Sequence, residues 1–309
     1  MNIIRTLVRC CGTLALTTLI AGMISAAVAQ QTFKTPEEAA ENLVAGLRAG
    51  DNKAVNAILG PGGEAILSSG DSVQDENTRR LFLLAYDAKH SIQPSGDKFA
   101  LLIIGAEDFP FAIPIAKKGE GWVFDTAAGR EEVLARRIGR NEFAAIRASI
   151  GYHDAQYEYA ATMPKVDDMA VYAQRVVSSP GKKDGLYWPA AAGEPPSPLG
   201  EAIADASLRG YRAGSGAPYQ GYYYKLLTRQ GRNAPGGAHD YIVNGKMIGG
   251  FALIAYPAEY GNSGVMTFMV NHAGTVYEKD LGTRTERIVR RIYWFDPDQT
   301  WKKVDTPRP

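Results

Sequence analysis

Between residues 35 and 90 the apolar positions fall three and four apart, and from residue 99 to about 125 that period gives way to short apolar runs. "TPEE" at 35–38 pairs a capping threonine with a glutamate three residues on and puts Pro36 in the first turn. Ala40, Leu43, Val44 and Leu47 continue the stripe until Gly50 ends it. Asp51 caps a second, short helix that stops at Gly60-Pro61. A third helix is predicted over 75–89, with Leu81, Leu84, Ala85 and Ala88 on its apolar side. "FALLIIG", "FAIPIAKK" and "GWVFD" then read as strands separated by Pro, Gly and charged turns. The pattern predicts helices packed on a small curved antiparallel sheet.

Residues 130–161, "REEVLARRIGRNEFAAIRASIGYHDAQYEYAA", predict a long connecting helix. Val133, Leu134, Ile138, Ile146 and Ile150 lie near helical spacing, and Gly139 and Gly151 are its weak points. A further helix is predicted over 166–177, followed by the Pro- and Gly-rich stretch "SSPGKKDGLYWPAAAGEPPSPLG", which Tyr187 and Trp188 pin down. "GYYYKLLTR", "DYIVNG", "GGFALIAYPA", "VMTFMVN" and "TVYEKDL" are strands of a second antiparallel sheet. In the first of these, Tyr222, Tyr224 and Leu226 share one face, and Tyr223, Lys225 and Leu227 the other. "TRTERIVRRIYWF" predicts a closing helix with Ile288, Val289, Ile292 and Phe295 inward. The fold class is α+β, with an N-terminal α+β domain over 30–127. Residues 128–309 supply the long helix and a C-terminal antiparallel-sheet domain.

The first 29 residues add a location. Arg5 and Arg9 precede an apolar run over 10–24, and Ala27-Val28-Ala29 is a small-residue cleavage box. This is the pattern of a secretory signal peptide cut between Ala29 and Gln30, which predicts a periplasmic or secreted protein. Cys10 and Cys11, the two cysteines of the chain, both lie in this segment. The remainder therefore has no disulfide, thiolate nucleophile or cysteine metal ligand. About 280 residues are enough for an ordinary hydrophobic core to hold the fold. The balance of 34 basic against 33 acidic residues argues against a general nucleic-acid or anionic-membrane binder. No later apolar run is long enough to span a bilayer, so no stable membrane insertion is expected after cleavage.

Candidate chemistry is sparse. His153 and Asp154, with Tyr157 and Glu158 one turn on, can form a polar cluster on the long helix. They are not the HExxH arrangement of zinc hydrolases. His239 and Asp240 enter a strand, where neighbours point to opposite faces and make no dyad. His90 ends a helix, where a cation suits the dipole. In "FMVNHAGTVYEKDLG", His272 is placed at a solvent-exposed hairpin tip, with Gly274 supplying the positive φ that closes the turn. No G-x-S-x-G elbow, Walker loop, dinucleotide G-x-G-x-x-G or EF-hand loop is present, and no cofactor or metal is expected. "SPGK" at 179–182 matches S-x-x-K, but Pro180-Gly181 forbids the helix that the motif needs. Arg136, Arg137, Arg140 and Arg147 are either an anion site or a solvated face balanced by Glu131 and Glu132.

Several phrases together resemble one family: "FDTAAGREEVLARRIGRNE", "SSPGKKDGLYWP", "GYYYKLLTRQG", "DYIVNGKMIGGFALIAYPAEYGNSGVMTF" and "VNHAGTVYEKDLG". The chain is identified as a member of the bacterial exported proteins catalogued as domain of unknown function 2950. That resemblance covers nearly all of the chain beyond the leader and implies export, with no activity, cofactor or catalytic residue assigned. The helix-Gly-Asp-helix opening of "AAENLVAGLRAGDNKAVNAIL" is similar to nuclear-transport-factor-2-like cones, which often enclose a ligand pocket. Trp122, Phe124 and Tyr86 would here line the pocket or fill the core. "YPAEYGNSGVMTFMVNHAGTV" is similar to the closing sheet of type IV pilin-like headpieces, although a cleaved leader and an interrupted, charged helix argue against a polymerising pilin.

Three functions are consistent with these readings. The first is a non-enzymatic binding or assembly protein of the cell envelope. It would meet an envelope protein or a small ligand through an aromatic surface of Trp122, Tyr187, Trp188, Tyr222, Tyr224, Tyr256 and Tyr260. The second is an envelope hydrolase built on His153, Asp154 and Glu158 with His239, which requires at least two of these side chains to converge in a concave site. The third is small-ligand binding inside the N-terminal domain.

Overall fold

The computed structural model describes residues 30–305, so the predicted leader lies outside the described residues. Among the described residues no helix is long and apolar enough to cross a membrane. Thr35 Oγ1 accepts from the Glu38 amide at 3.1 Å, and Glu38 Oε2 accepts from the Lys34 amide at 2.8 Å. These bonds satisfy orphan donors at the start of α1 (Pro36–Ala49), and Gly50 closes it at φ 64°. Asp51 caps α2 (Asn52–Leu59), a short α3 (Gly63–Leu67) follows, and Asp71 caps α4 (Ser72–Ala88).

The apolar side of α4 differs from the predicted one. Leu81 and Leu84 are 58% and 55% exposed, while Tyr86 is buried and Phe82, Leu83 and Ala85 pack inward. Phe82 lies against both Tyr86 and Phe111, so the larger aromatic surface decides which way the helix turns. His90 begins a strand rather than ending the helix. Its ring stacks on Tyr86 with centroids 3.7 Å apart, and its Nδ1 lies 2.8 Å from the Tyr86 carbonyl oxygen.

The first sheet comprises β1 (His90–Ser95), β2 (Phe99–Ile104), β3 (Phe109–Pro110), β4 (Ile115–Lys118) and β5 (Gly121–Phe124). All pairings are antiparallel, in the order β1-β2-β4-β5 with β3 also on β2. Leu43, Val55, Leu59, Ile113, Ile115 and Phe124 fill the space between this sheet and the helices.

The connecting helix α5 runs unbroken over Thr126–Thr162. The expected interruptions at Gly139 and Gly151 do not occur; a side chain at either glycine would meet open space, so neither marks a close contact. The buried row of α5 is not the aliphatic one. It is Arg137, Asn141, Ala145, Ser149, Tyr152 and Gln156, spaced by four and three, while Val133, Leu134, Ile138, Ile146 and Ile150 are half-buried. Small residues bring the helix close to β11 and β12, and the buried polar ones hold other segments by hydrogen bonds. Asn141 donates to the Ser263 carbonyl at 2.9 Å and accepts from Gln74 at 2.8 Å.

The predicted helix over 166–177 is absent, for an identifiable reason. Gln156 Oε1 accepts from the Ala173 amide at 2.8 Å, and Gln156 Nε2 donates to the Ala173 carbonyl at 2.9 Å. The Tyr172 amide bonds the Met247 carbonyl at 2.8 Å. Backbone groups that a helix would satisfy internally are taken up by tertiary partners.

After α6 (Gly200–Leu208) comes β6 (Tyr222–Leu227). Two small pairs follow: β7 (Arg229–Gln230) with β8 (His239–Asp240), and β9 (Ile242–Val243) with β10 (Lys246–Met247). Then come β11 (Ala252–Pro257), β12 (Met266–Asn271), β13 (Val276–Asp280) and, near the end, β14 (Lys302–Lys303). The large antiparallel sheet has the order β14-β13-β12-β11-β6. Both α5 and α7 (Thr285–Val289) pack on β11, whose residues Ala252, Leu253, Ile254 and Ala255 are all buried. The closing helix is shorter than predicted. Ile292 and Phe295 lie beyond it, and Lys225 Nζ donates to the carbonyls of Val289 at 3.2 Å and Ile292 at 2.8 Å, capping its end. The fold is α+β.

Candidate functional site

A cavity of about 590 Å³ opens where α1, α3, α4 and the first sheet meet the first turns of α5. That size is ordinary for a small-molecule site. Its walls include Leu43, Leu59, Ile66, Ile104, Phe111 and Ile113. Four arginines, Arg79, Arg136, Arg137 and Arg140, line it against two acids, Asp75 and Glu76. Val133, Arg136, Arg137 and Arg140 lie at helical spacing, so one face of α5 supplies both an apolar wall and the cations.

Three of the four cations have partners. Arg137 is buried and donates to the carbonyls of Ala65 at 3.2 Å and Ser68 at 3.3 Å, and also to Ile66 O and Asn262 Oδ1. It thereby caps the C-terminal end of α3, where helix carbonyls lack intrahelical donors. Burial lowers its pKa, against which the charge of Asp75 acts. Arg136 pairs with Glu132 at 2.6 Å and its guanidinium lies 4.6 Å from the Phe109 ring centroid. Arg79 pairs with Glu76. Arg140, exposed at the cavity opening, makes no hydrogen bond or ion pair among the described residues.

The aromatic trio expected in this half does not line that space. Tyr86 and Phe124 are buried core, and Trp122 is half-buried in a backbone bridge to Phe33. The other aromatic candidates range from fully buried to partly exposed. Tyr222 is fully buried, its hydroxyl donating to the Met266 carbonyl at 2.9 Å. The Tyr224 hydroxyl is buried with no partner among the described residues. Burial raises the pKa of both phenols. Tyr256 packs beside Tyr223, and Tyr260 donates to Asp280 at 3.1 Å. Tyr187 is half-buried, and its amide and carbonyl pair with residues 176 and 178. Trp188 lies against Tyr159, with a buried Nε1 that has no partner among the described residues. Tyr222 and the Tyr224 hydroxyl are thus withdrawn from solvent, a burial that sheet alternation alone does not show.

The histidines are arranged differently from their sequence reading. His153, His239 and His272 gather around Phe251 and Tyr241 at one end of the large sheet. His272 is half-buried rather than at an open tip, and its Nδ1 is buried with no partner among the described residues. Burial lowers its pKa, followed by the charges of His239 and His153. Gly250, at φ 126°, makes room: a Cβ there would lie 2.6 Å from His272 Nδ1. His153 Nδ1 lies 2.8 Å from Asp154 Oδ1, and its Nε2 faces Gly274, which has the positive φ expected of it. His239 Nε2 lies 3.0 Å from the Gly249 carbonyl oxygen, while Asp240 pairs with Arg229. Asp154 and Glu158 are exposed on the helix. No group of three or more His, Cys, Asp or Glu among the described residues could hold a metal ion.

A family model described as Protein of unknown function (DUF2950) matches residues 30–304. The chain belongs to this family. The DUF2950 match spans both cores, the cavity and the histidine cluster, and it begins just past the leader-like segment. No curated protein and no solved structure matches this DUF2950 chain.

Periodicity does not mark Asn141 and Asp71, polar residues that tie the two halves together, or Gln156, which holds the segment around Ala173 on α5. Asp71 Oδ2 accepts from the Tyr211 hydroxyl and the Gly221 amide, both at 2.9 Å. On α5 the buried polar positions Arg137, Asn141, Ser149 and Gln156 run beside the aliphatic ones, Val133 lying one turn before Arg137, so apolar spacing alone does not single them out.

Proposed function

We propose that this is an exported, non-enzymatic binding protein that holds a small, largely apolar ligand in the cavity between α4, the first sheet and α5. The observation that carries this reading is the cavity itself: about 590 Å³, walled by aliphatic and aromatic side chains, with charged groups confined to part of its lining. The leader-like residues 1–29 and the family match beginning at residue 30 support export. The test is a titration with Nile red, a neutral dye that brightens in apolar surroundings. Wild-type protein should bind one dye per chain. Val133→Trp, which places an indole in the cavity from α5, should bind none while keeping its thermal transition. Equal dye uptake by both proteins would refute the cavity as the binding site.

The convergence of His153 and His239 on His272 favours a second reading, an envelope hydrolase acting at that end of the sheet. It predicts turnover of a generic ester or amide substrate that disappears in His153→Gln. Loss of the same turnover in Val133→Trp but not in His153→Gln would contradict it. Among the described residues no serine or threonine hydroxyl is hydrogen-bonded to any of the three imidazoles, which ranks this reading second.

A further inference from the structure

We infer that the cavity ligand is an amphiphile with a single anionic head, a carboxylate carried on an apolar chain or ring, and that Arg140 receives the head. This rests on the cavity reading above and narrows it to a chemical class. The cation count supports it. Arg137 spends its donors on three carbonyls and Asn262, Arg136 is held by Glu132 and the Pro110 carbonyl, and Arg79 by Glu76. Asp75, the remaining lining acid, accepts from the Ser69 amide at 3.0 Å. Arg140 is left with an uncommitted guanidinium at the edge of an apolar space.

A guanidinium fork matches a planar carboxylate with two parallel hydrogen bonds, and it is weakly enough hydrated to do so at a partly dry rim. The surroundings of Arg140 are already partly desolvated, which lowers its pKa, and the neighbouring Tyr211 phenol acts the other way. One free cation suits one negative charge; a di- or triphosphate would require several. A cationic amphiphile would meet four arginines against two acids, an excess of positive charge. Gln74, on the same wall, has a buried Oε1 with no partner among the described residues, an acceptor for a ligand hydroxyl. The sequence offered the Arg136, Arg137, Arg140 and Arg147 series as an anion site or a solvated face. The structure divides it, with three of its members on the cavity and only Arg140 unengaged.

The experiment is calorimetric titration of the wild-type protein, Arg140→Gln and Val133→Trp with decanoate, 1-decanol and decyltrimethylammonium, with Nile red uptake measured in parallel. The expected result is one decanoate per wild-type chain, with 1-decanol weaker and the cation not bound. Arg140→Gln should bind decanoate on the order of tenfold more weakly while leaving 1-decanol unchanged. Decanoate and 1-decanol binding alike, with Arg140→Gln indistinguishable from wild type, would overturn the anionic class and leave the cavity reading intact. So would Nile red uptake without decanoate binding. Failure of the dye and all three decyl compounds would bring down both proposals. Retention on phosphatidylglycerol vesicles without binding of monomeric decanoate would assign the arginines to a lipid surface and overturn this inference.

Discussion

Arg137→Met tests whether a buried guanidinium holds the cavity wall in place. In the wild type the side chain reaches Ala65 O, Ile66 O, Ser68 O and Asn262 Oδ1, so it closes the end of α3 and bridges to the turn before β12. Methionine keeps much of the stem volume and removes every donor. A hydrogen bond from a charged group contributes roughly 1.5–3 kcal/mol net, and four bonds from one group are far from additive. Returning the arginine to water on unfolding recovers part of that, because burial already costs it solvation. A loss of about 3 kcal/mol is the resulting expectation. Arg137→Lys, with one compact charge and no fork, should recover about half. Urea unfolding followed by far-UV circular dichroism measures both, provided the slope m is unchanged. A loss below about 1 kcal/mol for Arg137→Met, the scale of a surface substitution, would refute the cap.

Three other outcomes follow from particular contacts. His272 has a folded-state pKa below its ordinary 6.5, so the unfolded chain takes up the proton first. Its contribution to stability should be complete above about pH 6.5 and lost as pH falls through the folded value, and His272→Gln should flatten that slope in urea midpoints measured across the window. Gly129→Val should cost several kcal/mol, because even a Cβ there would lie 2.6 Å from Ile113 Cα, where only backbone movement relieves the clash; an unchanged melting temperature would contradict this. Gln156→Leu strands the amide and carbonyl of Ala173 and should cost about 2–4 kcal/mol, with amide exchange at Ala173 and its neighbours accelerating first.

The elements that could be read from sequence were those governed by local chemistry. Thr35 with Glu38, Asp51 and Gly50 fix helix ends within a few residues, and short apolar and aromatic runs bounded by turn residues mark β6, β11, β12 and β13. The losses came where a distant partner overrode the local pattern. The segment around Ala173 is captured by Gln156, α4 turns toward Phe111, and the α5 stripe is polar because it serves two cores. The candidate site was half legible. The arginine row could be seen, but which arginine stays free depends on α3 carbonyls and Asn262, far away in sequence. His272 is the turn residue that the sequence indicates, but its half-burial against Tyr241 and Phe251 is tertiary and leaves no local trace.

The central claim, a ligand held between α4, the first sheet and α5, is tested most directly by native mass spectrometry of the protein isolated from its own cells. The account predicts a single small adduct per chain that leaves on denaturation, ionises as an anion, and is missing from Val133→Trp. Bare protein in both samples, with equal Nile red uptake by the two, would contradict it.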